Sequence, residues 1–136
     1  MNNEIRLSML NNLQDLTRLM SEADLFMQSH SLAPKTMYCV NLALEEMLTN
    51  IVKYAFDDED SHEIQLLMTI TESDVVLRFE DAGREFDPLS LPPPEIKDSI
   101  LQCNEGGLGI HLVRKTVHSM EYSRSLHKNV LIMTIR

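Results

Sequence analysis

Residues 38–56 read YCVNLALEEMLTNIVKYAF, and the reading of this stretch decides how the rest of the chain is arranged. At about 100° per residue, Val40, Leu44, Met47, Leu48, Ile51, Val52 and Ala55 fall on one continuous arc, and Glu45, Glu46, Thr49, Asn50 and Lys53 fall on the other. That distribution predicts an amphipathic helix whose apolar face is wide enough to rest on a core. Glu46 and Asn50 stand one turn apart, with Lys53 on the next turn. Taken alone, such a polar face is a solvated one. Its meaning depends on what other segments bring to it.

Working outward, Pro34 suits the first position of this helix, because its missing N–H is one that a helix start leaves unpaired. Residues 30–33 before it form a turn. Further upstream, Leu13, Leu16, Leu19, Met20, Ala23 and Met27 recur at helical spacing, with Asn12 placed as N-cap and Asp15 three residues on. Residues 4–10, EIRLSML, alternate as a short strand. Downstream, DDEDS (57–61) is an acidic turn. HEIQLLMTI (62–70) and DVVLRFED (74–81) then alternate as strands, and the short link TESD makes them an antiparallel hairpin.

DAGREFDP (81–88) leads into a loop from about Leu89 to Glu105, where Pro92, Pro93 and Pro94 forbid helix or sheet. A loop of this length reads as a lid or binding loop. GGLGI (106–110) opens an apolar-periodic helix to about Ser119, and MEYSRSLHKNVLIMTIR (120–136) predicts a closing hairpin with its turn near residues 127–129. The order β-α-α-β-β-loop-α-β-β points to the α+β class. The expected architecture is a two-layer sandwich, with a mixed, mostly antiparallel sheet and three helices on one face. The 136 residues are expected to form one domain, 1–136.

Composition bounds the function. The chain is 43% apolar and 24% charged, as soluble globular domains are. A net charge of −9 argues against non-specific binding to nucleic acid or to an anionic membrane. It leaves room for an anionic ligand held locally by backbone N–H groups and a metal ion. Cys39 and Cys103 lie outside any metal-ligand spacing. The start MNNEIRLSML lacks the basic and apolar regions of a signal peptide. No apolar stretch approaches the ~20 residues needed to cross a bilayer, so a cytoplasmic location with reduced thiols is expected. His111 and His118 would share a metal only with a third ligand from elsewhere, and the nine Met residues read as core filler.

Three local features carry chemistry when taken together. The first is the pair Glu46 and Asn50 on the organising helix. The second is Asp81-Ala82-Gly83 at a strand end, where a carboxylate can accept a hydrogen bond from an exocyclic amine and a glycine permits close approach. The third is Gly106-Gly107-Leu108-Gly109 at a helix start, where unpaired N–H groups and the helix dipole favour an anion. Neither a Rossmann fingerprint nor a GxxxxGK[ST] phosphate loop is present.

In this order and spacing, Glu46-x-x-x-Asn50, Asp81-x-Gly83-x-x-Phe86, a lid and Gly107-Leu108-Gly109 resemble the N, G1 and G2 boxes of the GHKL ATP-binding fold. The wording EEMLTNIVKYAF, EDAGREFDPL and GGLGIHLVRKTV is most similar to the anti-sigma-factor serine kinases. The resemblance implies ATP and Mg²⁺ as cofactors, with Asn50 as metal ligand and Glu46 as general base. It implies Asp81 as acceptor for the adenine amine, Gly83 as clearance for the ring, and Phe86 as part of the same box. Gly107, Leu108 and Gly109 would meet the phosphates as a lid of about 87–106 closes, and Lys53 would add positive charge nearby. The implied partners are an anti-sigma-factor antagonist of the STAS type, which is phosphorylated on serine, and a sigma factor, which is sequestered. A homodimer, no direct nucleic-acid contact and no membrane contact are implied too. Arg18 resembles a partner-contacting arginine.

The chain departs from the family pattern in three places. Glu85 replaces the second glycine of the first box, the lid carries Asp98 and Glu105 with Lys97 its one basic residue, and NVLIM offers no counterpart to a threonine often found near the adenine. The resemblance therefore reaches nucleotide binding more directly than phosphoryl transfer. A non-catalytic nucleotide-binding partner switch stands as the alternative. The ATPase domain of a two-component histidine kinase is disfavoured, because these residues contain no helical hairpin with a phosphoacceptor His.

Overall fold

Alternation along the strands sets the sheet. In the computed structural model, which describes residues 3–90 and 107–136 (at Gly107 and Leu108 the backbone alone), β1 is Glu4–Leu10, β2 Glu63–Ile70, β3 Val75–Asp81, β4 Ser119–Ser125 and β5 Lys128–Ile135. They form one sheet in the order β1-β2-β3-β5-β4. The four pairings are all antiparallel, so the sheet is not mixed. The expectations for Pro92, Pro93, Pro94, Lys97, Asp98, Cys103, Glu105 and most of the lid lie outside the described residues.

One face of this sheet is a set of apolar rows. Leu7 and Met9 of β1, Ile64, Leu66, Met68 and Ile70 of β2, Val75, Leu77 and Phe79 of β3, and Leu131, Met133 and Ile135 of β5 are all buried. Three helices lie over these rows: α1 (Leu13–Gln28), α2 (Pro34–Tyr54) and α3 (Gly107–Thr116). Asn12 caps α1 as its sequence predicts, its side-chain oxygen accepting the Asp15 N–H at 2.8 Å. Leu16, Leu19, Ala23 and Met27, at spacings of three and four, form the buried stripe of α1. In α2, Pro34 occupies the first turn, and Val40, Ala43, Leu44, Met47 and Leu48 are buried. Asn50, expected on the solvated arc, is buried as well.

Two boundaries differ from the sequence reading. Helix α3 stops at Thr116 rather than near Ser119, because the chain has by then joined the sheet: the His118 N–H donates to the Thr134 carbonyl at 2.8 Å. His118 is therefore off the helix that carries His111, and the two are not stacked on one helical face. The closing turn sits at Leu126 and His127, not at residues 127–129, and both residues have positive φ, 54° and 63°. A two-residue hairpin turn needs this left-handed backbone to match the twist of its strands. The outcome matters for the site, because it puts Asn129 inside β5.

Candidate functional site

At one end of the sheet the inward-facing rows turn from apolar to polar. The row Val75, Leu77, Phe79 on β3 continues to Asp81, and the row Ile135, Met133, Leu131 on β5 continues to Asn129. Asp81 and Asn129 are register partners, and both are buried, each 6% exposed. The C-terminal half of α2 passes over them. Asn50, Ile51 and Tyr54 from α2 line one largely apolar cavity with Asp81, Phe86 and Tyr122. Asn129 and Pro88 also line it. Flat apolar and aromatic walls with a few convergent polar atoms are what a planar heterocycle requires.

Asp81 is held from one side. Its Oδ1 accepts the Gly83 N–H at 2.9 Å and the Asn129 amide at 3.0 Å. Its Oδ2 takes no hydrogen bond among the described residues, and none of their fully buried side-chain polar atoms lacks a partner. Oδ2 is therefore the oxygen open to the cavity. Burial pushes this carboxyl above its ordinary value, opposed by the Asn129 and Gly83 bonds and by the charge of Arg124.

Gly83 is not a wall of the cavity. A Cβ on it would stand 2.6 Å from both the Cβ and the carbonyl oxygen of Ala55, at the end of α2. The missing side chain thus lets the strand-end loop close against the helix, where the Arg84 N–H donates to the Ala55 carbonyl at 2.9 Å and Arg84 Nε to the Tyr54 carbonyl at 2.6 Å. This packing is a role for Gly83 besides the ring clearance implied by resemblance. Gly83→Ala is expected to lower stability by about 1–3 kcal/mol through overpacking. Thermal melting checks this, and an unchanged melting temperature would contradict the packing role.

The second cluster is on α2 itself. The Asn50 amide nitrogen donates to the Glu46 carbonyl at 2.6 Å, which leaves its side-chain oxygen without a hydrogen bond among the described residues and next to the cavity. The Glu46 carboxylate lies against Gly109 near the start of α3, so closely that a Cβ there would overlap its carboxylate oxygen. Glu46 is pushed above the usual glutamate value, first by desolvation and next by Glu45, with Lys53 opposing. Glu46, Asn50, Asp81, Phe86 and Gly109 are thus brought to one region of the molecule. Lys53 is exposed and acts on Glu46 through charge, outside the cavity wall. Gly107 and Leu108 place their backbone in the first turn of α3.

Three residues of the site escaped the sequence reading. Asn129 Oδ1 accepts from the Tyr122 hydroxyl at 2.5 Å and from Arg124 Nη1 at 2.9 Å, and its amide donates to the Arg84 carbonyl at 2.8 Å besides Asp81. Arg124 Nη1 also reaches the Gly83 carbonyl at 3.0 Å. One signal was available: alternation in β5 runs through Asn129, so a polar residue stands where the inward row predicts an apolar one. Arg18, by contrast, is committed within the chain, to Asp15 at 2.8 Å, Glu22 at 2.7 Å and the Ser8 carbonyl of β1 at 2.6 Å.

Among the described residues no group of three or more His, Cys, Asp or Glu side chains is placed to hold a metal. The free Asn50 oxygen fits a Mg²⁺ that is held mainly by phosphates and water, which needs only one or two protein ligands. No helix of the described residues is long and apolar enough to cross a membrane.

Comparison with known proteins places the chain in a family. The chain is 31% identical over 97 residues to the serine/threonine-protein kinase BtrW of Bordetella bronchiseptica, covering 71% of this chain and 68% of BtrW. It is 33% identical over 78 residues to the serine-protein kinase RsbW of Listeria monocytogenes, 54% of this chain and 50% of that protein. Against most of these relatives, then, the match spans about half of their length. The crystal structure of the RsbU and RsbW domains of Rv1364c from Mycobacterium tuberculosis superposes over 98% of this chain and 32% of that one, with a TM-score of 0.66 at 10% identity, which supports the fold. Residues 9–135 match the family model of the histidine kinase-like ATPase domain. By that match over nearly its whole length, the chain belongs to the histidine kinase-like ATPase domain family.

Proposed function

We propose that this protein is an ATP-dependent protein serine kinase that phosphorylates an anti-sigma-factor antagonist and, in its other state, sequesters a sigma factor. The observation that carries the reading is the convergence of a desolvated carboxylate, Glu46, with an uncommitted amide oxygen, Asn50, beside a cavity that ends on Asp81. The kinases BtrW and RsbW among its relatives support the choice of a protein serine over other acceptors.

In this reading Asp81 Oδ2 accepts the adenine amine, and Phe86, Tyr54 and Tyr122 pack around the base. The first turn of α3 offers backbone N–H groups of Gly107 and Gly109 to the phosphates. The Asn50 side-chain oxygen would hold Mg²⁺, which would supply neutralisation of the charge that develops on phosphoryl transfer. Glu46 accepts the proton of the substrate serine hydroxyl as its oxygen bonds to the γ-phosphorus and the bond to the β–γ bridging oxygen breaks, releasing ADP. A base raised above the ordinary glutamate range is better matched to that proton.

The cytoplasm, a homodimer and a single domain whose lid spans about 87–106 complete the proposal. Incubation with Mg²⁺ and γ-labelled ATP and a purified antagonist tests it: phosphoserine on the antagonist is the expected result, and nucleotide binding without transfer would favour the non-catalytic switch. Asn50→Ala is expected to remove the Mg²⁺-dependent part of ATP affinity, about tenfold or more, since one ligand to a charged centre is lost. Calorimetric titration with and without Mg²⁺ reads this, and a wild-type response from Asn50→Ala would remove Asn50 from the metal.

A further inference from the structure

We propose that Arg124, acting with Asn129, is the positioning residue that sets which purine this site accepts. The inference rests on the adenine-pocket reading of Asp81 given above. It begins from a polar network that an ordinary hairpin does not need. Arg124 on β4 bridges two acceptors with a single nitrogen, the Gly83 carbonyl at 3.0 Å and Asn129 Oδ1 at 2.9 Å. Asn129 in turn presents its amide to Asp81 Oδ1 at 3.0 Å. The chain of contacts therefore runs Arg124, Asn129, Asp81, with the Gly83 amide closing it on the far side at 2.9 Å.

Two consequences follow from this arrangement. Asp81 cannot rotate freely, since Oδ1 is fixed by two donors and Oδ2 is left to the cavity. The carboxylate also stays an acceptor only while it is ionised, and a buried carboxylate tends to take up a proton. The groups around it are few. Beside Arg124, β4 contributes Tyr122, β5 contributes Asn129, and α2 contributes Tyr54 and Asn50. On β3 the neighbouring Glu80 opposes ionisation, and it is itself paired with Arg78 at 3.1 Å and Lys128 at 3.6 Å. The ionised form of Asp81 is favoured first by the Asn129 and Gly83 hydrogen bonds and then by the positive charge of Arg124, which also holds Asn129 in place.

An ionised Oδ2 accepts from a 6-amino purine and repels a 6-oxo purine, whose carbonyl oxygen would face it. Once protonated, the same atom becomes a donor and the distinction weakens. A site built on such a bond discriminates strongly, because the wrong partner leaves a buried polar group unpaired.

The test compares ADP with inosine diphosphate, which differ at position 6 and share their phosphates, so that phosphate titration cancels in the ratio. Calorimetric affinities are measured over an acid-to-neutral pH series for the full chain, for Arg124→Gln and Arg124→Met as neutral variants, and for Arg124→Lys, with melting temperatures alongside. Wild type and Arg124→Lys are expected to keep the ADP preference to lower pH than the two neutral variants. The ratio should differ by up to about tenfold for each pH unit of displacement. A role confined to holding the hairpin would change the melting temperature without moving that profile. If wild type prefers ADP and the neutral variants superpose on it, the Arg124 inference is overturned and the adenine pocket stands. If wild type shows no preference for ADP at any pH, both fall.

Discussion

Glu46→Gln is expected to lower serine phosphorylation by about 10²–10⁴-fold, the range for losing a positioned general base, while ADP still binds. The separation follows from where Glu46 sits. Its carboxylate lies against Gly109 and one turn from Asn50, outside the residues that line the base cavity. Glutamine keeps its shape and removes only its basicity. Stability should not suffer, and the direction can be derived. The folded state raises the Glu46 pKa by desolvation, so it binds a proton more readily than the unfolded chain does. Stability contributed at this residue is present at low pH and declines as pH rises through the window between the ordinary and the raised value. Removing the charge at neutral pH thus leaves the melting temperature unchanged or higher. Activity runs the other way: transfer requires the ionised carboxylate and falls on the acid side of the raised value. Radiolabel transfer and a melting curve on one preparation read both effects, and full activity in Glu46→Gln would remove this residue from the chemistry.

Asp81→Asn carries the second large effect, on affinity rather than on transfer. The amide can keep its oxygen toward the Gly83 N–H and the Asn129 amide, which are the two donors in place. Its NH₂ group then replaces Oδ2 at the cavity, where it meets the adenine amine donor to donor. Losing a hydrogen bond to a charged group costs about 1.5–3 kcal/mol, on the order of 10- to 100-fold in Kd for ADP. The same NH₂ should favour a 6-oxo purine, so inosine diphosphate is expected to bind this variant no more weakly than it binds wild type. Calorimetry with both nucleotides decides the matter. Equal losses for the two would point to a disturbed loop instead of a changed acceptor.

Much of this was legible in the sequence, for identifiable reasons. The periodicity of α2 is long and strong, Pro34 marks its start, and Asn12 with Asp15 marks that of α1, so these elements fall where expected. Strand alternation placed Asp81 at the inner end of β3. The resemblance supplied roles for Glu46 and Asn50 that spacing alone could not, since a polar helical face without a neighbour is only solvated. What sequence could not give is proximity between segments far apart in the chain. Gly83 needs no side chain because Ala55 is there, a contact that no local pattern records. Asn129 was hidden by a turn that was expected to reach it, because Leu126 and His127 adopt positive φ without the glycine or asparagine that usually announces it. Arg124 carried no signal in the sequence, and its hold on Asn129 and Gly83 appears only once β4, β5 and the strand-end loop are assembled.

The most direct measurement is a crystal structure of the chain with Mg²⁺ and a non-hydrolysable ATP analogue. The account predicts the adenine amine on Asp81 Oδ2, the metal on the Asn50 side-chain oxygen, and the γ-phosphate within reach of Glu46. A nucleotide seated on any other surface, or a base in this cavity turned away from Asp81, would contradict it.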